Sequence, residues 1–344
     1  MNETFFNNTA TILPWPNPFP SGAGAIASQS VAGHPLDTTN GRLHQYTATV
    51  ERQIKDIGLR LSYQGSRSSG INYNIELNKP QPSTTAFVQA RRPQPQYVGT
   101  SFALSDGGQK FNALTIQGQR KAGQVTFDIH WTLASNYWNY QNLENPYAPL
   151  FWERDPNTVR QRFVTNVTWQ LPIGKGKTLL SGAGAALNHV VGGWQFYWVG
   201  FMETGQFFMP TFSGADPSNT NTTAGRADRL SNGNLPPGER KLNRWFDTSA
   251  FARPQPGRFG NSGANVLEGP GLNVVNLSIG KTFPITEKMK FTFMAASQNI
   301  ANHPNFNNPA ANINASNVGV IASTRSFSAI GGSRQIMLRA RLAF

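Results

Sequence analysis

Five histidines, at 34, 44, 130, 189 and 303, are the residues best suited to metal or proton chemistry. None stands two or four positions from another, the spacings that place two ligands on one strand or helix face, so they are expected to act singly. Gly174-Lys-Gly-Lys-Thr178 has the flavour of a phosphate-binding loop, but Leu171 occupies the position of its first glycine. A turn after a strand is the expectation there. Asp216, Asn219 and Asn221 offer oxygen ligands at too low a charge density for a calcium loop. No Gly-x-Ser-x-Gly elbow occurs, and without any cysteine there is no thiolate nucleophile, thiolate metal site or disulfide. The sequence therefore predicts neither an enzyme nor a cofactor: catalytic residues none, metal none.

What remains is surface chemistry. Tyr137, Trp138, Tyr140, Trp152 and Trp245, with Phe151, fall in irregular segments and are candidates for stacking on an extracellular ligand such as a glycan or, alternatively, for packing the loops against the rim of the fold. Arg60, Asp128, His130, Arg339 and Arg341 alternate with apolar residues along extended stretches. They are expected to line a wet interior, where Arg60, Arg339 and Arg341 either favour anionic solutes or serve structurally, pairing with carboxylates of neighbouring strands or contacting a plug.

The elements that would position them are strands. In Arg334–Phe344, residues Ile336, Leu338, Ala340, Leu342 and Phe344 fall on one side, and Gln335, Met337, Arg339, Arg341 and Ala343 on the other. About 9–11 residues, apolar outward and polar inward with interfacial aromatics, suffice for a transmembrane β-strand. The closing aromatic Phe344 has the form of the strand read by the barrel assembly machinery. The composition agrees: 344 residues, 38% hydrophobic and only 14% charged, with no run of 18 apolar residues that would make a membrane helix. The net charge of +13 is dispersed and attached to no recognition motif, so nucleic acid is not an expected partner.

Further strands are predicted at 43–53, 57–65, 111–121, 124–134, 162–171, 193–209, 272–283 and 288–299. Trp131, Trp169, Trp194 and Trp198 are expected on the lipid side; the facing of 193–209 is left open, because both its faces are partly apolar. Residues 1–42, 66–110, 135–160, 210–270 and 300–333 are expected to be irregular. Short connections near 54–56, 122–123, 172–192 and 284–287 alternate with long ones, the pattern of periplasmic turns and extracellular loops. With Phe344 in the periplasm, all short connections fall on that side. The fold class predicted is all-β, an antiparallel transmembrane β-barrel segment of about nine strands with long extracellular loops. Nine is odd, whereas bacterial single-chain barrels close with an even number. The start Met1-Asn-Glu-Thr-Phe-Phe lacks the basic and apolar regions of an export signal. The chain is thus expected to be part of a larger barrel.

Several stretches carry a family resemblance: Leu61-Ser-Tyr-Gln-Gly-Ser-Arg67, Leu171-Pro-Ile-Gly-Lys-Gly176, Gly192-Gly-Trp-Gln195, Trp245-Phe-Asp-Thr-Ser-Ala-Phe251, Phe259-Gly-Asn-Ser-Gly263 and Asn302-His-Pro-Asn-Phe306. In order and spacing they resemble the C-terminal half of TonB-dependent outer-membrane receptors of the Oar-like, acidobacterial type. The resemblance covers about residues 43–344, leaving 1–42 as an extracellular or irregular segment. It implies a 22-stranded barrel with an N-terminal plug, uptake energised by the TonB complex, and location in the outer membrane of a Gram-negative bacterium. The expected partners are outer-membrane lipid, the barrel strands and plug missing from this chain, TonB through that plug, and an unidentified extracellular ligand. A self-standing outer-membrane porin or adhesin, and a soluble glycan-binding β-sandwich, are the alternatives.

Overall fold

The computed structural model describes residues 29–140, 144–325 and 332–344. Nine long strands, each hydrogen-bonded to the next in sequence, form one antiparallel meander. They are β1 (Arg42–Ile54), β2 (Ile57–Ile75), β3 (Tyr97–Arg120), β4 (Val125–Trp138), β5 (Gln161–Gln170), β6 (Trp194–Glu203), β7 (Leu272–Pro284), β8 (Lys290–Gln298) and β9 (Gln335–Ala343). Among the described residues β1 and β9 each have a partner on one side only, so the sheet is open at both edges.

Register sorts the side chains into two faces, because directly opposed residues point the same way. On one face Val50 lies opposite Leu61, Leu61 opposite Ile116, Ile116 opposite Trp131, and Trp131 opposite Phe163. Farther along, Trp169, Phe196, Ile279, Ala295 and Leu338 form a second rung. This places Trp194, Phe196 and Trp198 on the apolar face, the assignment that alternation alone left open. The other face is polar and cross-linked from strand to strand. Thr49–Ser62, Thr115–Thr132 and Thr282–Thr292 pair through their hydroxyls at 3.0–3.1 Å, and Arg162 meets Glu203 at 3.1 Å.

The apolar face is bare. Val50, Ile116, Ile336 and Leu338 are 50–71% exposed, and among the described residues no second sheet covers them. In water such a face would be an aggregation site; in a bilayer it is the lipid contact. The β-sandwich alternative fails on this point, since a sandwich buries one face of each sheet against the other.

The structure corrects four expectations of irregularity. In 66–110, β2 runs on to Ile75 and β3 begins at Tyr97. At 19 and 24 residues these strands exceed the crossing length and project past the bilayer on the long-loop side. In 135–160, β4 continues to Trp138, and Glu153–Arg154 pairs with Tyr137 and Trp138. Within 1–42, Gln29–Gly33 lies parallel to the start of β3; residues 1–28 are outside the described set. The 210–270 segment is a packed body. Thr211–Ser213 pairs with Ala224–Arg226, and Asp228–Arg229 with Phe251–Ala252.

The predicted strand 193–209 is also shorter than expected. β6 stops at Glu203, where Gly205 crosses so close to the Gly269 backbone that a Cβ would collide with its carbonyl. Beyond that crossing Phe207–Phe208 pairs with Leu267–Glu268. Phe208 enters a core with Ala227, Phe246, Ala250, Phe251 and Leu267, in which Phe246 meets Phe208 and Phe251 edge-on at 5.7 and 5.9 Å.

Candidate functional site

The connections 55–56, 121–124, 171–193 and 285–289 share one end of the sheet, and 76–96, 139–160, 204–271 and 299–334 share the other. The long ones are tied into one cap, with 204–271 as its hub. Ser83 N–H donates to the Ser218 carbonyl (3.0 Å) and Arg91 to that of Asn219 (2.8 Å). Thr211 N–H donates to Ala311 O at 2.9 Å, and Ile321 N–H to Leu242 O at 2.7 Å.

The strongest tie is at Arg226, which is 3% exposed. Its guanidinium grips the equally buried Glu153 carboxylate through two N–H donors, the Nη2–Oε2 bond measuring 2.8 Å. Its backbone N–H donates to both oxygens of Glu144 (3.2 and 3.1 Å). Ala264 N–H adds a bond to Glu153 at 2.6 Å. Burial raises the Glu144 carboxyl above its ordinary range, against the opposing pull of Arg226 and Lys79, and burial lowers the Lys79 ammonium. Two residues on, buried Asp228 accepts from Arg258. Gly260 lies against the Arg226 carbonyl with no room for a Cβ. Gly260→Ala should therefore push the Arg226 backbone out of place and cost about 1–3 kcal/mol, as overpacking does. Faster proteolytic cleavage of the cap, with the strands left intact, would register it.

Beside this clasp lies a cleft of about 320 Å³ lined by Tyr137, Phe151, Trp152, Arg154, Arg160 and Phe207, among others. Arg154 stacks 4.2 Å above the Phe207 ring and 5.1 Å from that of Tyr137, whose hydroxyl accepts its Nη2–H at 2.9 Å. Lys110 Nζ stands 3.7 Å over Trp152. Flat aromatic faces alternating with guanidinium groups can stack on rings and pair with oxygen anions.

The five loop aromatics singled out from sequence are thus divided. Tyr137 and Trp152 line the cleft. Trp138 and Tyr140 stack on each other (5.5 Å, 7°) and Tyr140 on Tyr73 (5.7 Å, 18°), forming a rim above β2–β4. Trp245 packs against the cap core and donates its indole N–H to Glu268 O at 2.9 Å. Arg154, Arg160 and Phe207 were missed. The run Glu153-Arg154-Asp155, three charges together in a chain poor in them, was the available signal.

The interior candidates all lie on the polar face. Arg60 pairs with Glu51 at 2.6 Å, and Asp128 accepts twice from Gln117 at 3.0 Å with His130 at 3.6 Å. Arg339 and Arg341 lie opposite Met294 and Thr292 on the edge strand, with no carboxylate within 4.0 Å among the described residues. Ile336, Leu338, Ala340 and Leu342 share the apolar face with Ser297, Ala295, Phe293 and Phe291. The Asp216 carboxylate accepts from Ser218, Thr220 and Asn221 of its own loop.

A sequential antiparallel meander with one lipid-compatible face, one polar face and all long loops at one end is the wall of an outer-membrane barrel. The chain belongs to the outer membrane beta barrel domain family, whose model matches residues 1–337, and its place is the outer membrane. It is similar in structure to the outer membrane transporter YddB from Escherichia coli: 9% identity, TM-score 0.47, covering 92% of this chain and 34% of that one. It is also similar to the FrpB iron transporter from Neisseria meningitidis (F3-3 variant): 9% identity, TM-score 0.42, covering 91% and 32%. The chain spans about a third of the length of either. No curated protein sequence matches it.

Proposed function

We propose that the nine strands are the C-terminal sector of a TonB-dependent transporter barrel of the Oar-like type, 22 strands in all. In this reading the cap captures an extracellular ligand in the cleft at Tyr137, Trp152 and Arg154, and a plug inside the full barrel gates its passage under the drive of TonB. Arg60, Asp128, His130, Arg339 and Arg341 face that plug or the solute. The work is binding and gating rather than bond chemistry.

The observation that carries the proposal is the open sheet. In lipid each unpaired backbone group costs several kcal/mol, so both β1 and β9 need neighbours, and they are not each other's neighbour among the described residues. The motif resemblance supplies the family of barrel. Expression of this chain by itself in an outer-membrane host, followed by planar-bilayer recording, tests it. The expected result is no heat-modifiable monomer and no steady conductance. A heat-modifiable monomer with a defined channel would overturn the proposal in favour of a self-standing porin.

A further inference from the structure

The connection 171–193, expected as a plain turn, carries a two-turn helix, α1 (Ala185–Val191). Its end rests against the apolar face of the wall rather than the polar one. Lys281, opposite Trp194 and Phe293 in register, belongs to that apolar face. Its Nζ donates to the carbonyl oxygens of His189 (2.5 Å) and Val190 (3.2 Å), and the Trp194 indole N–H donates to Val190 O at 3.0 Å. The His189 ring lies 5.6 Å from that of Phe283, which continues the same face. A bare lysine here would meet lipid at a penalty. The last carbonyls of a helix lack intrahelical partners and carry partial negative charge, so they satisfy the ammonium. Lys281 is accordingly only 6% exposed.

The same connection carries apolar side chains left uncovered among the described residues. Leu179, Leu180, Leu187 and Val190 are 54, 53, 49 and 63% exposed. Exposed Lys175 and Lys177 precede them. Apolar side chains beside a pair of cations, continuous with a wall that already faces lipid, have the make-up of a segment lying in a bilayer interface.

We propose that 171–193 is an interfacial foot. It sinks Leu179, Leu180, Leu187 and Val190 into the periplasmic leaflet and sets Lys175 and Lys177 on phospholipid phosphates, with Lys281 as the pin that holds α1 to the wall. The proposal rests on the reading of the short-turn end as periplasmic and of the apolar face as lipid-facing.

This chain contributes no cysteine, so single nitroxide labels can test it in the full protein, with any cysteine outside the chain replaced, reconstituted into phosphatidylethanolamine–phosphatidylglycerol vesicles. Labels at Leu187→Cys and Val190→Cys should show an oxygen-to-nickel-chelate accessibility ratio below that of Leu338→Cys on the wall, as an interfacial depth requires. They should lie several-fold above Thr286→Cys in the turn 285–289. Adding Lys281→Met should lower the ratio at position 187, and Lys175→Gln with Lys177→Gln should lower it most where anionic lipid is present. If positions 187 and 190 match Thr286→Cys while Leu338→Cys stays oxygen-rich, the foot is wrong and the wall stands. If Leu338→Cys is nickel-accessible too, the membrane facing itself falls.

Discussion

Leu338→Arg is expected to stop the protein from assembling in the membrane. Leu338 lies opposite Ala295 on the rung that runs through Trp169, Phe196 and Ile279, and it is 71% exposed on the apolar face. An arginine facing lipid near the midplane costs about 2–4 kcal/mol. That is a large share of the 5–15 kcal/mol that typically holds a fold. Met337→Arg is the matched control, because its side chain joins Arg339 and Arg341 on the polar face. Heat-modifiability and protease protection of the two variants, each made in the full-length barrel and assayed in outer-membrane preparations, measure the difference. Loss of the folded form in Leu338→Arg alone is the result expected; equal assembly of both would mean the faces are assigned the wrong way round.

Arg226→Met is expected to open the extracellular cap without dissolving the wall. It leaves the Glu153 carboxylate, 4% exposed, without its guanidinium partner, and removal of one member of a buried ion pair typically costs about 3–5 kcal/mol. Because Arg226 joins the loop 204–271 to Glu153 and Glu144 of the loop 139–160, the damage should spread through both. Hydrogen exchange would show lost protection there and retained protection in β5–β8. The double change Arg226→Met with Glu153→Gln should recover part of the loss, since no uncompensated charge is then buried. Full protection in the single variant would show that the backbone pairings of the cap suffice on their own.

The wall was legible in the sequence where lipid imposes a pattern. β1, β4, β5, β7, β8 and β9 appear within a few residues of their observed bounds, because each crossing must alternate apolar and polar residues. β2 and β3 beyond the bilayer carry no such demand. Ser66 to Ser69 and Gly107-Gly108 look like loop in composition, yet they are paired in the ladder. The cap was illegible for a different reason. Phe208, the pair Phe246 and Phe251, and Leu267 come from separate stretches of the chain, and the strands between them are two or three residues long, too short to show a period. Tyr137 and Trp152 announced themselves by residue type alone. Phe207 did not, because it read as the tail of β6, and the backbone crossing at Gly205 that redirects it involves a residue 64 positions on in the chain. α1 was missed since two turns rich in alanine and valine carry no charge pattern.

Direct imaging of the strand count tests the central claim. Electron cryomicroscopy of the native protein purified from outer membranes should show β1 and β9 each paired, on their outer edges, with strands that lie outside these nine. A barrel closed by β1 pairing with β9, with nothing between them, would contradict it.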